Sequence, residues 1–146
     1  MFEKLWSNYE VIIGMFSGSV WAILNVALGG IDTPIKALAI LMVADFITGV
    51  SAGFRNKELS SSVGSKGLFK KVGILVCIII AYVLDLATGM NVFRGMVISG
   101  FAVIEAMSLI ENIDRIGCGY IIPEFLRSKL QQIAETKYGK KVDKND

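Results

Sequence analysis

The sequence contains no histidine, only two cysteines and few charged residues, and each scarcity argues against a class of function. Without histidine, the chain lacks the commonest general base and metal ligand. Cys77 and Cys118 lie far apart, form no CxxC motif and have no zinc spacing. The net charge of +2 gives no reason to expect a nucleic-acid partner. We therefore expect neither an enzyme nor a catalytic residue, a bound metal or a cofactor.

Long apolar runs are what the sequence has in abundance. Charged residues make up 19% of the chain, whereas soluble domains carry about 25%. Hydrophobic residues make up 53%, and the mean hydropathy is +0.59. A spanning helix needs roughly 20 mostly apolar residues, and several runs approach that length. This composition is typical of a small polytopic membrane protein.

Four apolar segments predict an all-α membrane protein with about four transmembrane helices, which together form a transmembrane domain over residues 1–112. The first segment contains glycine, serine and asparagine, so whether it spans the membrane is left open. Turn signals at 29–34 and 88–91 separate neighbouring helices. The four predicted spans are residues 11–28, 34–54, 72–90 and 92–111.

Residues 113–146 predict a cytoplasmic segment with an amphipathic helix. Pro123 and Glu124 are typical of a helix start, and apolar residues recur on one face at Ile122, Leu126, Leu130 and Ile133. A basic amphipathic helix of this kind lies on a membrane surface; the alternative is a soluble helix that pairs with a second copy. Residues 139–146, GKKVDKND, are predicted to be disordered.

Lysine and arginine in the loops predict the orientation, because cytoplasmic loops are enriched in them. The basic segment after the second span and the basic tail fall on the same side of four spans, so both termini are predicted to be cytoplasmic. If the first segment does not span, the N-terminus is outside. The residues expected at the membrane surface are Lys66, Lys70, Lys71, Arg127 and Lys129.

Acidic residues inside the spans are the candidate functional positions, since charge in a membrane is expensive and faces protein or water. Asp45 shares a helix face with Gly49 and Gly53, a spacing that lets another helix approach closely. By insertion scales the apolar residues of this span gain roughly 3–5 kcal/mol, against about 2.5–3.5 for its central Asp45, so its insertion is marginal. The acids either pair helices, as Asp85 with Arg94, or line a pore or ion path. The full candidate set is Asp45, Thr48, Gly49, Gly53, Asp85, Arg94, Glu105, Ser108 and Asn112.

The order of these motifs resembles the bacteriophage holin family of the toxin-secretion and phage-lysis type. The matching blocks span about residues 40–130: VADFITG, then ELSSSVGSKGLFKK, then an apolar run ending in VLD, then IEAMSLIENIDRIGCGYIIPEFLRSKL. The positions that match the family's pattern are Asp45, Thr48, Gly49, Ser61, Ser62, Gly67, Lys70, Lys71, Asp85, Glu105, Ser108, Glu111, Asn112, Gly117 and Pro123.

The resemblance implies a protein of the bacterial cytoplasmic membrane, encoded by a phage or prophage. Such holins accumulate, then form homo-oligomeric lesions that release a cell-wall-degrading endolysin, and relatives assist the export of toxins. The implied partners are the lipid bilayer, further copies of the chain, and an endolysin or secreted toxin. Two alternatives stay open: a small ion channel or transporter subunit that uses the membrane acids as an ion path, and an antiholin-type membrane partner that does not conduct.

Overall fold

A computed structural model of the chain describes residues 2–57 and 61–138, and these residues form helices and turns without a strand. The helices are α1 (Phe2–Ala27), α2 (Thr33–Arg55), α3 (Ser61–Thr88), α4 (Phe93–Ile116) and α5 (Glu124–Tyr138), with a 3₁₀ turn at Gly119–Ile121. Four stretches are long and apolar enough to span a membrane: Tyr9–Ala27, Thr33–Arg55, Gly64–Thr88 and Phe93–Ile116. The all-α prediction with four candidate spans is confirmed.

The chain divides into two compact units, residues 1–31 and 32–146. The first unit contains α1, which exposes large apolar side chains such as Ile13, Phe16 and Trp21. A helix that is apolar all round suits a lipid environment. The helix ends in the predicted turn, where Gly29 and Gly30 have φ of 72° and 103° and the Asn25 side chain accepts a hydrogen bond from the backbone of Ile31 at 2.9 Å.

The second unit is built around α4, against which α2, α3 and α5 pack, whereas α2 and α3 touch each other little. Large apolar residues such as Leu38 and Ile78 are buried, and so are the small residues Ala52, Gly53 and Gly100. Lipid is as apolar as these side chains, so close packing of small residues contributes more than hydrophobic burial. The outer faces of the helices expose apolar side chains such as Ile47 and Ile80, as expected for lipid contact.

Three helices extend well beyond the predicted spans, the first being α1, which begins at Phe2 rather than at residue 11. The α3 helix begins at Ser61 rather than 72, so most of the predicted basic loop is helical, and α4 continues to Ile116 rather than ending at 111. Hydropathy marks where a helix is apolar, whereas a spanning helix can continue past its apolar run into a polar or charged end when tertiary packing supports it.

The segment predicted to be cytoplasmic contains the predicted helix, since α5 begins at Glu124, directly after Pro123. The boundary of the transmembrane domain at residue 112 stays a prediction, and the expected disorder over 139–146 lies outside the described residues.

Candidate functional site

A buried cluster of charged side chains joins α2, α3 and α4, three helices of the second unit. Lys71 of α3 donates hydrogen bonds to Oδ2 of Asp45 in α2, at 2.9 Å, and to Oε2 of Glu105 in α4, at 2.5 Å. The three side chains are 11%, 14% and 0% exposed, respectively. Because Asp45 and Glu105 lie near the middle of their candidate spans, this cluster puts charge deep within the apolar part of the bundle.

Asn112 of α4 holds Asp45 in place and also reaches the next turn of α2. The Nδ2 atom of Asn112 donates to Oδ1 of Asp45 at 2.9 Å and to its backbone oxygen at 3.2 Å. It also lies 3.4 Å from Oγ1 of Thr48, which itself donates to the backbone of Ala44 at 2.8 Å. A Cβ atom at Gly49 would lie 3.3 Å from the same Nδ2 atom, so glycine gives the amide room to reach α2.

Lys70 forms the outer edge of the cluster. Its Nζ atom lies 3.2 Å from Oε1 of Glu105 and 3.4 Å from Oγ of Ser108, and its side chain is 46% exposed. Oε1 of Glu105 is fully buried and receives no hydrogen bond within the described residues, because the Lys70 contact has the distance of an ion pair but not hydrogen-bond geometry. Glu105 is therefore held firmly by Lys71 on one oxygen and weakly by Lys70 on the other.

The charges of the cluster balance, with two carboxylates facing two ammonium groups. Removing one partner of a buried pair costs more than the pair gains, since it leaves an uncompensated charge. Within the described residues, no group of three or more histidine, cysteine, aspartate or glutamate side chains could hold a metal ion. The arrangement is suited to fixing helix positions and to changing them when a charge is lost.

A second polar group lies where α2 and α4 begin. Asp85, near the end of α3, accepts hydrogen bonds from the backbone N–H groups of Val92, Phe93 and Arg94, each at 2.9 Å. Asp85 thus satisfies N–H groups that the first turn of a helix leaves without a partner. The predicted proximity of Asp85 and Arg94 is found through the backbone of Arg94.

The guanidinium of Arg94 forms a bidentate pair with Asp32, at 2.8 and 3.0 Å. Asp32 is the N-cap residue of α2 and accepts the backbone N–H of Ile35. The hydrogen bonds from Arg94 hold the pKa of Asp32 below its ordinary value of 3.8. This pair connects the first turns of α2 and α4 at the end of the bundle opposite the basic residues of α3.

The turn between α4 and α5 is fixed by Arg127. Its guanidinium donates to both carboxylate oxygens of Asp114, at 2.6 Å each, and to the backbone oxygen of Gly119 at 3.0 Å. Gly117 ends α4 with φ of 86°, a conformation that favours glycine. These contacts set the start of α5 on the end of α4.

The structure places the predicted basic residues in four different settings. Lys66 and Lys129 are exposed, and Lys70 is half-exposed beside Glu105. Arg127 is half-buried in the pair with Asp114. The prediction of Lys71 at the membrane surface is corrected, because its side chain is buried between Asp45 and Glu105. Lys71 precedes the apolar run of α3, so hydropathy predicts that it lies at the membrane surface. It lies beside the two acids because α3 extends back to Ser61.

Among the candidate acidic and small residues, Asp45, Thr48, Gly49, Glu105, Ser108 and Asn112 gather in or next to the cluster. Gly53 is buried farther along α2, whereas Asp85 and Arg94 belong to the group at the other end. Sequence reasoning missed Asp32 and Asp114, whose partners lie 62 and 13 residues away.

The sequence profile of the bacteriophage holin family matches residues 22–135, most of the chain. The chain belongs to the bacteriophage holin family. That family consists of pore-forming membrane proteins and is not a family of enzymes. With the four candidate spans, membership identifies a multi-pass protein of the cytoplasmic membrane.

Similar proteins occur in Listeria and Clostridium. An uncharacterised Listeria monocytogenes protein is 36% identical over 138 residues, covering 94% of this holin-family chain and 96% of its own length. An uncharacterised protein of Clostridium perfringens strain 13 is 38% identical over 107 residues, covering 72% and 78%. A 14.9 kDa protein from the nagH 3′ region of Clostridium perfringens is 35% identical over 111 residues, covering 75% and 83%. No solved structure matches the chain significantly.

Proposed function

We propose that this chain is a holin that accumulates in the bacterial cytoplasmic membrane and then assembles with further copies into lesions that release an endolysin. The observation that carries the proposal is the buried cluster of Asp45, Lys71 and Glu105, on three different spanning helices. A lesion filled with water needs polar walls, whereas a single chain in lipid must cover its polar groups. The cluster meets both needs, since each chain has polar side chains that could line a lesion but buries them between its own helices.

The surface that assembly uses is the face of α2 that carries Asp45, Thr48 and Gly49, together with the opposing Asn112 and Ser108 of α4. In the single chain this face is covered by α3 and α4. The outside of the bundle is apolar at positions such as Val43, so the closed chain is compatible with lipid. In the lesion, the polar face contacts another copy or water.

The cytoplasmic end of the chain contacts the lipid surface through the start of α5. Tyr120, Ile121 and Phe125 are 86%, 61% and 70% exposed and follow closely after the end of the fourth candidate span at Ile116. Aromatic side chains are favoured at the membrane–water interface. The basic residues near this end, such as Lys66 and Lys129, support a cytoplasmic position for it, with both termini inside the cell.

The proposal is tested by inducing the chain in a bacterial host with and without an endolysin that lacks a secretion signal. We expect a silent period and then abrupt lysis only when both proteins are present, measured by culture density. A catalytically inactive endolysin is the matched control and should give arrest of respiration without lysis. Normal growth, or lysis that does not need the enzyme, would contradict the proposal.

A small ion channel is the second candidate, because the same buried acids could line an ion path. It predicts loss of membrane potential without passage of the enzyme, so the two-protein experiment separates it from a holin. An antiholin predicts neither effect alone and a delay of lysis when the chain is expressed together with another holin.

Replacing Asp45 by leucine should alter the time of lysis, whereas Val43→Leu, on the exposed apolar surface, should not.

A further inference from the structure

We propose that Lys71 is a latch whose ammonium group holds α3 over the polar face of α2 and α4 and whose withdrawal opens that face. This inference rests on the proposed function, since it names the contact that keeps a lesion-forming chain closed.

The packing of the bundle makes α3 the helix that can move. The α2 and α4 helices pack along each other, with the Asn112 amide bonded to Asp45 between them, whereas α3 touches α2 little. At that limited contact, Lys71 binds Asp45 of α2 while its second hydrogen bond reaches Glu105 of α4. Displacement of the first turns of α3 therefore breaks both bonds and leaves the α2–α4 pair intact, while Asp85 near the other end of α3 stays bonded to the start of α4.

Lys71 differs from the neighbouring Lys70 in what it covers. The Lys70 side chain is 46% exposed and meets one oxygen of Glu105 without hydrogen-bond geometry. Lys71 is 11% exposed, binds carboxylates from two helices and lies directly over them. Loss of Lys71 leaves Asp45 with the neutral amide of Asn112 and Glu105 with the outer ammonium of Lys70, so neither carboxylate keeps a buried cation.

The three charged residues lie at different depths in the membrane, so only Lys71 can move out to water when the contact opens. Lys71 lies seven residues after Gly64, where the third candidate span begins, which is about 10 Å along a helix. Its long side chain can reach water from that depth by extending towards the helix end. Asp45 and Glu105 lie near mid-span and have no such route, so once Lys71 leaves, they can be stabilised only by water that enters or by another copy.

The closed and open faces can be distinguished by the reactivity of a thiol within the polar face. Ser108 is half-buried there, 3.4 Å from Lys70 of α3, so Ser108→Cys in a Cys77→Ser/Cys118→Ser chain reports whether water reaches the face when α3 moves. A water-soluble maleimide is added to isolated membranes that contain the full chain and no endolysin. With Lys71 present, we expect slow labelling; with Lys71→Met, labelling should be faster by about two orders of magnitude or reach the rate of an exposed thiol.

Two further variants separate a latch from a general loss of charge or of folding. Lys66→Met removes the same charge from an exposed position on the same helix and should leave labelling slow. The triple variant Asp45→Asn/Lys71→Met/Glu105→Gln leaves no charge to uncover, so it should accumulate and remain protected even if Lys71→Met alone does not accumulate.

Slow labelling with Lys71→Met, or equally fast labelling of the triple variant, would overturn the latch. In cells that also contain the endolysin, Lys71→Met should advance lysis relative to Lys66→Met. Failure of the parent chain to lyse cells would remove the proposed function, but the labelling result would still decide whether Lys71 closes the bundle.

Discussion

Replacing Asn112 by alanine should loosen the α2–α4 pair. The amide makes two hydrogen bonds to Asp45, at 2.9 Å to Oδ1 and 3.2 Å to the backbone oxygen. Oδ1 would lose its amide donor, and leaving a buried acceptor unsatisfied costs about 1–3 kcal/mol in general. Hydrogen bonds between membrane helices average about 0.6 kcal/mol and reach about 1.7. We therefore expect a loss of about 1–2 kcal/mol in the free energy of unfolding.

The assay is unfolding of the purified chain in mixed micelles by increasing SDS, with the folded fraction measured by brief proteolysis. The control is Asn91→Ala, which removes the same atoms from an exposed residue in the turn between α3 and α4. A loss of about 1–2 kcal/mol corresponds to a roughly 5- to 30-fold larger unfolded fraction at a fixed SDS concentration. Equal unfolding midpoints for the two variants would refute the role given to this amide.

Three further predictions test other contacts. Asp32→Asn keeps the helix cap but loses the ion pair, so it should destabilise the chain above pH 3.8, and the difference from the parent should shrink as the pH falls through the lowered pKa of Asp32; a difference that is constant with pH would contradict this. Gly49→Leu should destabilise the α2–α4 pair, whereas Gly73→Leu, which points a side chain into open space, should not; SDS unfolding of both measures the contrast. Arg127→Gln should speed amide hydrogen exchange across α5, and Lys129→Gln should leave it unchanged; equal rates would show that the arginine does not fix the helix.

The sequence predicts the helices well because their apolar runs are long and their turn signals are local. The face that combines Asp45 and Gly49 is also predictable, since residues three and four apart on a helix are neighbours. Asn112 is also among the predicted candidate residues. No spacing rule, however, predicts that the Asn112 amide contacts α2 at Asp45 and Gly49.

The partner of the two acids could not be predicted for a physical reason. Lys71 follows a basic stretch and precedes the apolar run, so hydropathy assigns it to the membrane surface. Its burial depends on how far α3 extends towards its N-terminus and on how α3 crosses two other helices. Both are properties of the packed bundle, and a single sequence contains no direct record of them.

At the ends of the bundle, too, the sequence alone does not predict which polar groups contact each other. Asp85 near the turn suggests an ion pair with Arg94; its oxygens accept hydrogen bonds from the backbone at the start of α4, and the guanidinium of Arg94 also reaches Asp32. A carboxylate can accept hydrogen bonds from the N–H groups at a helix N-terminus or pair with a cation. Which it serves depends on angles that the pattern of residues does not contain.

The most direct test of the central claim is a release experiment with the purified chain in phospholipid vesicles. The vesicles hold both a small fluorescent dye and a folded fluorescent protein about the size of an endolysin. A holin predicts that dye and protein leave the same vesicles together, after a delay that shortens as the number of chains per vesicle rises. Release of the dye alone would indicate an ion-sized channel and contradict the account, as would retention of both at every chain density.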